Sequence, residues 1–91
     1  MAKDNLLQNV APGKEFYSQH GEVYKNLHEL VDALHKIPSE VFVHHANSAK
    51  NDFAKWICDV FSDQKLADKI QPIMNPITMS KHISVRLMKK Q

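Results

Sequence analysis

The stretch from Asn51 to Ala67, NDFAKWICDVFSDQKLA, decides most of the fold. Asn51 and Asp52 supply a capping side chain and a carboxylate that favours a helix N-terminus. The apolar residues that follow recur at i, i+3, i+4, i+7 and i+8, and they are Phe53, Trp56, Ile57, Val60 and Phe61. That spacing is typical of a helix with one broad apolar face. We expect these side chains to form the centre of the core, where burial of each large aromatic contributes roughly 2–3 kcal/mol.

A second, shorter helix is predicted directly after this one. Ser62 and Asp63 interrupt the chain and offer a new cap. Leu66 and Ile70 then have helical spacing, and Pro72 ends the pattern. The two helices are therefore expected to be neighbours joined by a very short connection.

A β-hairpin is predicted upstream, in residues 15–25, EFYSQHGEVYK. Aromatic and β-branched residues lie on both sides of His20-Gly21, and glycine supplies the positive φ that a tight turn needs. An isolated hairpin is unstable in water, so we expect this one to pack on the helices.

A further helix is predicted to begin after Asn26, which can cap it, with Glu29 three residues later. Pro38 ends that helix near Ile37. Residues 38–50 fit either a strand or a short helix, and we favour a helical turn because Phe42 and His45 would then share a face.

The C-terminal residues 82–88, HISVRLM, alternate apolar and polar side chains. Alternation of this kind is typical of a strand. The segment is expected either to join the hairpin as a third strand or to form an arm that contacts a partner. The sequence thus predicts an α+β domain in residues 15–73, with three to four short helices, a flexible leader in residues 1–14 and a basic segment in residues 74–91.

Composition restricts the class of protein. Hydrophobic residues make up 43% of the 91 and charged residues 24%, as in ordinary globular domains. With a single cysteine, Cys58, neither an internal disulfide nor a cysteine-based zinc site can form. No apolar stretch is long enough for a signal peptide or a membrane span. We therefore expect a cytoplasmic protein that does not enter membranes.

The net charge of +2 conceals an asymmetry along the chain. Residues 1–68 contain seven lysines and ten acidic residues, a net charge of −3, whereas residues 69–91 contain four lysines, one arginine and no acid, a net charge of +5. A basic segment of this length can direct the chain to phosphate-rich partners, but more often such a segment is a solvated tail.

Residues 15–70 resemble a small domain of unknown function that is common in archaea and candidate-phylum bacteria. Asn51–Ala67 carries the specific part of the resemblance, an N-D-F-x-x-W-I-x-D-V-x-x-D-x-x-L-A motif, whereas the hairpin and first helix are generic. The matching positions upstream are Phe16, Gly21, Asn26, Leu27, Glu29, Leu30, Phe42 and His45. The resemblance implies this fold and a prokaryotic, cytoplasmic setting, and it implies no activity. Residues 71–91 have no counterpart in it.

Two arrangements of histidines raise the possibility of a chemical site. His28, Asp32 and His35 lie at i, i+4 and i+7, a spacing that can chelate zinc. His45 with Asp52 is a candidate catalytic dyad, although a nucleophile is not evident. We expect the first set to be a solvated polar face without a metal. We expect His45, Asn51, Asp52 and Trp56 to be a structural motif, with no bound cofactor.

The leading functional hypothesis is a non-enzymatic module that binds a protein. The alternatives are a nucleic-acid or ribosome-associated protein that uses the basic segment, and a small enzyme or metal protein built on His45 and Asp52. The expected contact residues are in the C-terminal segment: Lys81, His82, Ile83, Val85, Arg86, Leu87, Lys89 and Lys90. In the protein-binding hypothesis, the three apolar members add a strand to a sheet edge of the partner.

Overall fold

A computed structural model describes residues 8–89. Within that range the chain forms one β-hairpin and five helices, which confirms the predicted α+β fold. The elements are β1 (Phe16–Tyr17), β2 (Val23–Tyr24), α1 (Leu27–Leu34), α2 (Ser39–His45), α3 (Asp52–Phe61), α4 (Gln64–Ile70) and α5 (Pro76–Lys89). Helices dominate, and the two strands are only two residues long.

The hairpin forms where the sequence predicts it. Phe16 pairs with Tyr24 and Tyr17 with Val23 in an antiparallel register. Gly21 closes the turn with φ = +94°, a conformation that an L side chain rarely adopts. Phe16 and Tyr24 are buried and their rings stack at 5.8 Å, whereas their two neighbours point to solvent. This alternation lets one face of the hairpin pack on the helices.

The predicted caps of α1 and α3 are both confirmed. The Asn26 side chain accepts a hydrogen bond from the Glu29 amide at 2.8 Å, and the Asn51 side chain accepts one from the Ala54 amide at 3.1 Å. Residues 39–45 are helical, as favoured above, and both Phe42 and His45 are buried on the same side of α2.

Helices α3 and α4 are separated by two residues. Ser62 ends α3 in the left-handed conformation, with φ = 58°. Asp63 then caps α4 by accepting a hydrogen bond from the Leu66 amide at 3.1 Å. This short connection makes the two helices pack directly on one another.

The strand prediction for residues 82–88 is wrong, because these residues belong to α5. Asn75 caps this helix by accepting a hydrogen bond from the Thr78 amide at 3.0 Å, and Pro76 occupies its first position, where no amide is needed. The buried apolar side chains recur every four residues, at Met79, Ile83 and Leu87, and Ser80 is buried beside them. No third strand is formed within residues 8–89.

Helix α5 is part of the core and is not a separate arm. It packs against α1 and α4. Ile83 and Leu87, expected above to pair with a partner's sheet, are buried inside this protein and cannot do so. Val85 alone of the three expected apolar contacts is exposed, at 51%.

The predicted flexible leader is anchored over its described part. The Val10 amide donates to the Lys25 carbonyl at 2.8 Å, and the Lys14 carbonyl accepts a hydrogen bond from the Trp56 indole at 2.8 Å. Residues 1–7 of the leader lie outside the described range.

The aromatic stripe of α3 forms the centre of the core, as predicted. Phe53 is fully buried and stacks on Phe16 at 5.0 Å and on Phe42 at 5.6 Å. Trp56 is 8% exposed and meets Phe16 and Phe61 edge to face. Such pairs add about 0.5–1.5 kcal/mol each to the contribution of burial. The stripe therefore joins the hairpin, α2 and α3.

Candidate binding groove

His45 lies between the hairpin turn and the start of α3. Its Nε2 accepts a hydrogen bond from the Gln19 amide at 2.9 Å, and its Nδ1 lies 2.9 Å from Asp52 Oδ2. A backbone amide can only donate, so Nε2 is the unprotonated nitrogen and Nδ1 donates its proton to the carboxylate. Both ring nitrogens are engaged, so the imidazole has no free lone pair for general-base chemistry.

Burial and hydrogen bonding have opposite effects on the pKa of Asp52. Burial alone raises the pKa of its carboxyl, but hydrogen bonds from His45 and from Lys50 Nζ, at 3.0 Å, outweigh burial and lower the pKa below its usual value. The ionised carboxylate holds the imidazole in one tautomer and orientation. The hydrogen bond between His45 and Asp52 links α2 to α3.

The other two members of the structural motif also connect elements. The Asn51 side-chain amide donates to the carbonyls of Ile70, at 3.0 Å, and Gln71, at 3.1 Å, so it joins the start of α3 to the end of α4. Trp56 joins α3 to the leader through Lys14. All four motif residues thus make structural contacts.

The histidines in and just after α1 are not arranged as a metal site. His28, Asp32 and His35 are all exposed, and Nδ1 of His35, the C-cap residue, lies 2.9 Å from the Val31 carbonyl oxygen. Across residues 8–89, no group of three histidine, cysteine or acidic side chains is placed to hold a metal ion. The Cys58 thiol donates a hydrogen bond to Gln64 Oε1 at 2.9 Å.

A basic groove of about 430 Å³ lies between α4 and α5. Its lining contains no acidic residue and consists of Lys65, Leu66, Lys69, His82, Val85, Arg86 and Lys89. We call this site the α4–α5 groove. The chain places four side chains that are cationic at neutral pH, together with a histidine, around one concave surface with an aliphatic floor.

Helical spacing explains why the cations converge. Lys65 and Lys69 are separated by four residues and so lie on one side of α4, about 6 Å apart along its axis. His82, Arg86 and Lys89 are at i, i+4 and i+7 on α5, over about 10 Å of axis. The buried ridge of α5 keeps this face turned toward α4, because Met79, Ile83 and Leu87 occupy the neighbouring side of the helix.

Arg86 has a structural role as well as a place in the groove. Its Nε donates to Asp63 Oδ2 at 2.7 Å, and the Asp63 side chain is only 6% exposed. Asp63 also caps α4, so this ion pair fixes α5 against the start of α4. Arg86 therefore has a partner within the chain in addition to its predicted place at a binding surface.

The predicted contact residues do not all lie on one surface. His82, Val85, Arg86 and Lys89 line the groove, and Lys81 is exposed beside it. Lys90 lies outside the described residues. Lys65 and Lys69 also line the groove and were not predicted as contacts. Their four-residue spacing places them on one side of a predicted helix, but it does not show which element that side faces.

No protein-family model, curated protein sequence or solved structure matches this chain. The resemblance of residues 15–70 to a domain of unknown function therefore stays a prediction. None of the helices in residues 8–89 has the length and apolar character needed to cross a membrane.

Proposed function

We propose that this protein is a non-enzymatic, cytoplasmic binding module whose α4–α5 groove takes an acidic segment of another protein. One observation supports the proposal above all others. Two helices bring Lys65, Lys69 and Lys89 together with His82 and Arg86, and no acidic residue lines the surface between them. A carboxylate-rich segment is complementary to such a surface, and complementary potentials raise both the association rate and the specificity of binding.

A protein ligand fits the groove better than a nucleic acid. Single-stranded nucleic acids are held by aromatic side chains on which the bases stack, together with cations along the backbone. The lining of the groove contains no Phe, Tyr or Trp, and its apolar residues are the exposed Val85 and the buried Leu66. An apolar side chain among the carboxylates of a peptide would pack against these apolar residues.

The hydrogen bonds made by His45 and Cys58 support the non-enzymatic part of the proposal. Both ring nitrogens of His45 form hydrogen bonds within the chain, and the thiol of Cys58 donates a hydrogen bond to Gln64. These contacts support a role of His45 and Asp52 in joining α2 to α3.

The test is fluorescence anisotropy with three labelled ligands of equal charge. They are a Glu-rich peptide containing two leucines, a Glu-rich peptide without apolar residues, and a single-stranded oligonucleotide. We expect affinity to decrease in the order in which the three ligands are named. Added salt should weaken the binding of all three, because the groove lysines are exposed.

The matched variants are Lys65→Gln/Lys69→Gln in the groove and Lys25→Gln/Lys36→Gln outside it. Both remove two positive charges from exposed positions. The groove variant should bind the leucine-containing peptide roughly tenfold more weakly, since each exposed ion pair contributes about 0.5–1 kcal/mol. Equal loss in both variants would show a general charge effect and contradict the proposal, and tightest binding of the oligonucleotide would assign the groove to nucleic acid.

A further inference from the structure

The solvent-facing side of α5 concentrates exposed apolar side chains. Within residues 8–89, seven large hydrophobic residues are exposed, and four of them are Met74, Ile77, Val85 and Met88. The last three are on α5, where Met88 is 70% exposed. Most of the exposed large apolar side chains in the described range are therefore on α5 or just before it.

These side chains form a second stripe on α5, separate from its buried ridge. Ile77, Val85 and Met88 stand at i, i+8 and i+11, with Lys81 between the first two, so they lie along one side of the helix. The stripe covers about 16 Å of axis, or three helical turns. Val85 belongs both to the stripe and to the lining of the groove, so the two surfaces are continuous.

The charges around the stripe indicate what can cover it. Lys81, His82, Arg86 and Lys89 are on the same helix, and α5 contains no acidic residue. A second copy of α5 would bring like charges together, which opposes self-association along this face. An apolar partner surface flanked by carboxylates is complementary in both respects.

We propose that the segment bound by this protein is an acidic amphipathic helix that lies along α5. Its apolar ridge packs on Ile77, Val85 and Met88, and its carboxylates on one flank face the cations of the α4–α5 groove. A helix presents apolar residues with the period of the stripe, and recognition of one helix by the apolar face of another is a common mode of peptide binding. This inference rests on the proposed function and specifies the conformation of the ligand.

The experiment uses the full chain and two synthetic peptides of identical composition. Each has about 18 residues, enough for roughly five turns. One places leucine at i, i+4, i+7 and i+11 with glutamate on one flank, and the other has the same residues in an order without helical period. Affinity is measured by anisotropy, and peptide conformation by circular dichroism of the mixture after subtraction of the protein.

We expect the periodic peptide to bind at least about tenfold more tightly and to become helical on binding. Equal affinity of the two peptides, with no gain of helix, would overturn this inference and leave the proposed function intact. If neither acidic peptide binds at low salt, both the inference and the proposed function are wrong.

A pair of variants locates the contact. Ile77→Gln/Met88→Gln removes the ends of the stripe, whereas Tyr17→Gln/Val43→Gln removes exposed apolar side chains elsewhere. The first should reduce the preference for the periodic peptide to less than about threefold, and the second should leave it unchanged. An unchanged preference in the first variant would overturn the proposed contact. Sedimentation of the wild type as a dimer that the first variant abolishes would assign the stripe to a second copy and overturn it as well.

Discussion

Helices α3 and α5 both pack in the core, yet the sequence indicates them very differently. The apolar face of α3 is broad and aromatic, with two large side chains in each turn, so its period is evident. The buried ridge of α5 has one side chain in each turn, at Met79, Ile83 and Leu87. The exposed Val85 falls between two of these and creates an alternation that imitates a strand. A helix with a narrow buried ridge and apolar residues on a second face therefore lacks the clear helical period that would identify its buried face.

The largest expected effect is at the centre of the α3 stripe. Phe53→Ala should destabilise the domain by about 3–5 kcal/mol, because it leaves a cavity among stacked aromatic rings. For a domain of this size that loss can abolish folding. Urea unfolding followed by circular dichroism measures it, with the conservative Phe53→Leu as the control that should retain a cooperative transition. A loss below about 1 kcal/mol for the alanine variant would contradict the placement of Phe53.

The comparison with α5 is sharpened by two substitutions in the same helix. Ile83→Ala should cost about 2–4 kcal/mol, because Ile83 is fully buried, whereas Val85→Ala should change the stability by less than about 0.5 kcal/mol. The denaturant midpoints of the two variants show whether residues 83–87 belong to a core helix or lie outside the core. Similar small losses at both positions would mean that residues 83–87 form a strand or arm outside the core.

Substitution of the two asparagine caps is expected to reduce stability by different amounts, because Asn51 is buried and Asn75 is exposed. Asn51→Ala should cost about 2–3 kcal/mol, because it removes the cap of α3 and leaves carbonyls near the end of α4 without their buried donor. Asn75→Ala should cost about 1 kcal/mol, since Asn75 is exposed and caps α5 alone. Thermal unfolding of both variants under one condition compares the two losses of stability. A larger loss for Asn75 would contradict the contacts described.

The smallest expected effect is the pH dependence carried by Asp52. The pKa of Asp52 is lowered in the folded state, so its ionised form contributes stability above the unfolded value of 3.8. That contribution is lost as the pH falls below 3.8 and through the folded pKa. The stability difference between wild type and Asp52→Asn should therefore be constant near neutral pH and shrink below pH 3.8. Urea midpoints measured across this range provide the test, and a difference that grows on acidification would contradict the sign.

Local signals in the sequence predicted much of the fold. The hairpin turn at Gly21, the caps at Asn26 and Asn51 and the aromatic stripe of α3 each depend on residues close together in the chain, and each is confirmed. The cap of α5 is also encoded locally, by Asn75-Pro76, but no helix start was predicted at these residues. The alternation of Ile83, Val85 and Leu87 then determined the prediction of a strand.

The groove was only half predictable, because it depends on how α4 and α5 pack. The net charge of the C-terminal segment indicated His82, Arg86 and Lys89, but nothing local shows that Lys65 and Lys69 face them. The ion pair of Arg86 with Asp63 spans 23 residues and is equally hidden from local analysis. Tertiary contacts of this kind convert a basic tail into one wall of a site.

Amide hydrogen exchange followed by NMR tests most directly whether α5 is a core helix that forms this wall. We expect the amides of Ser80, Ile83 and Leu87 to be as strongly protected as those of Ile57 and Phe61 in α3, since both helices open only when the domain unfolds. Rapid exchange across residues 79–88, while α3 stays protected, would show that the segment is detached from the core and would contradict both the fold and the groove described here.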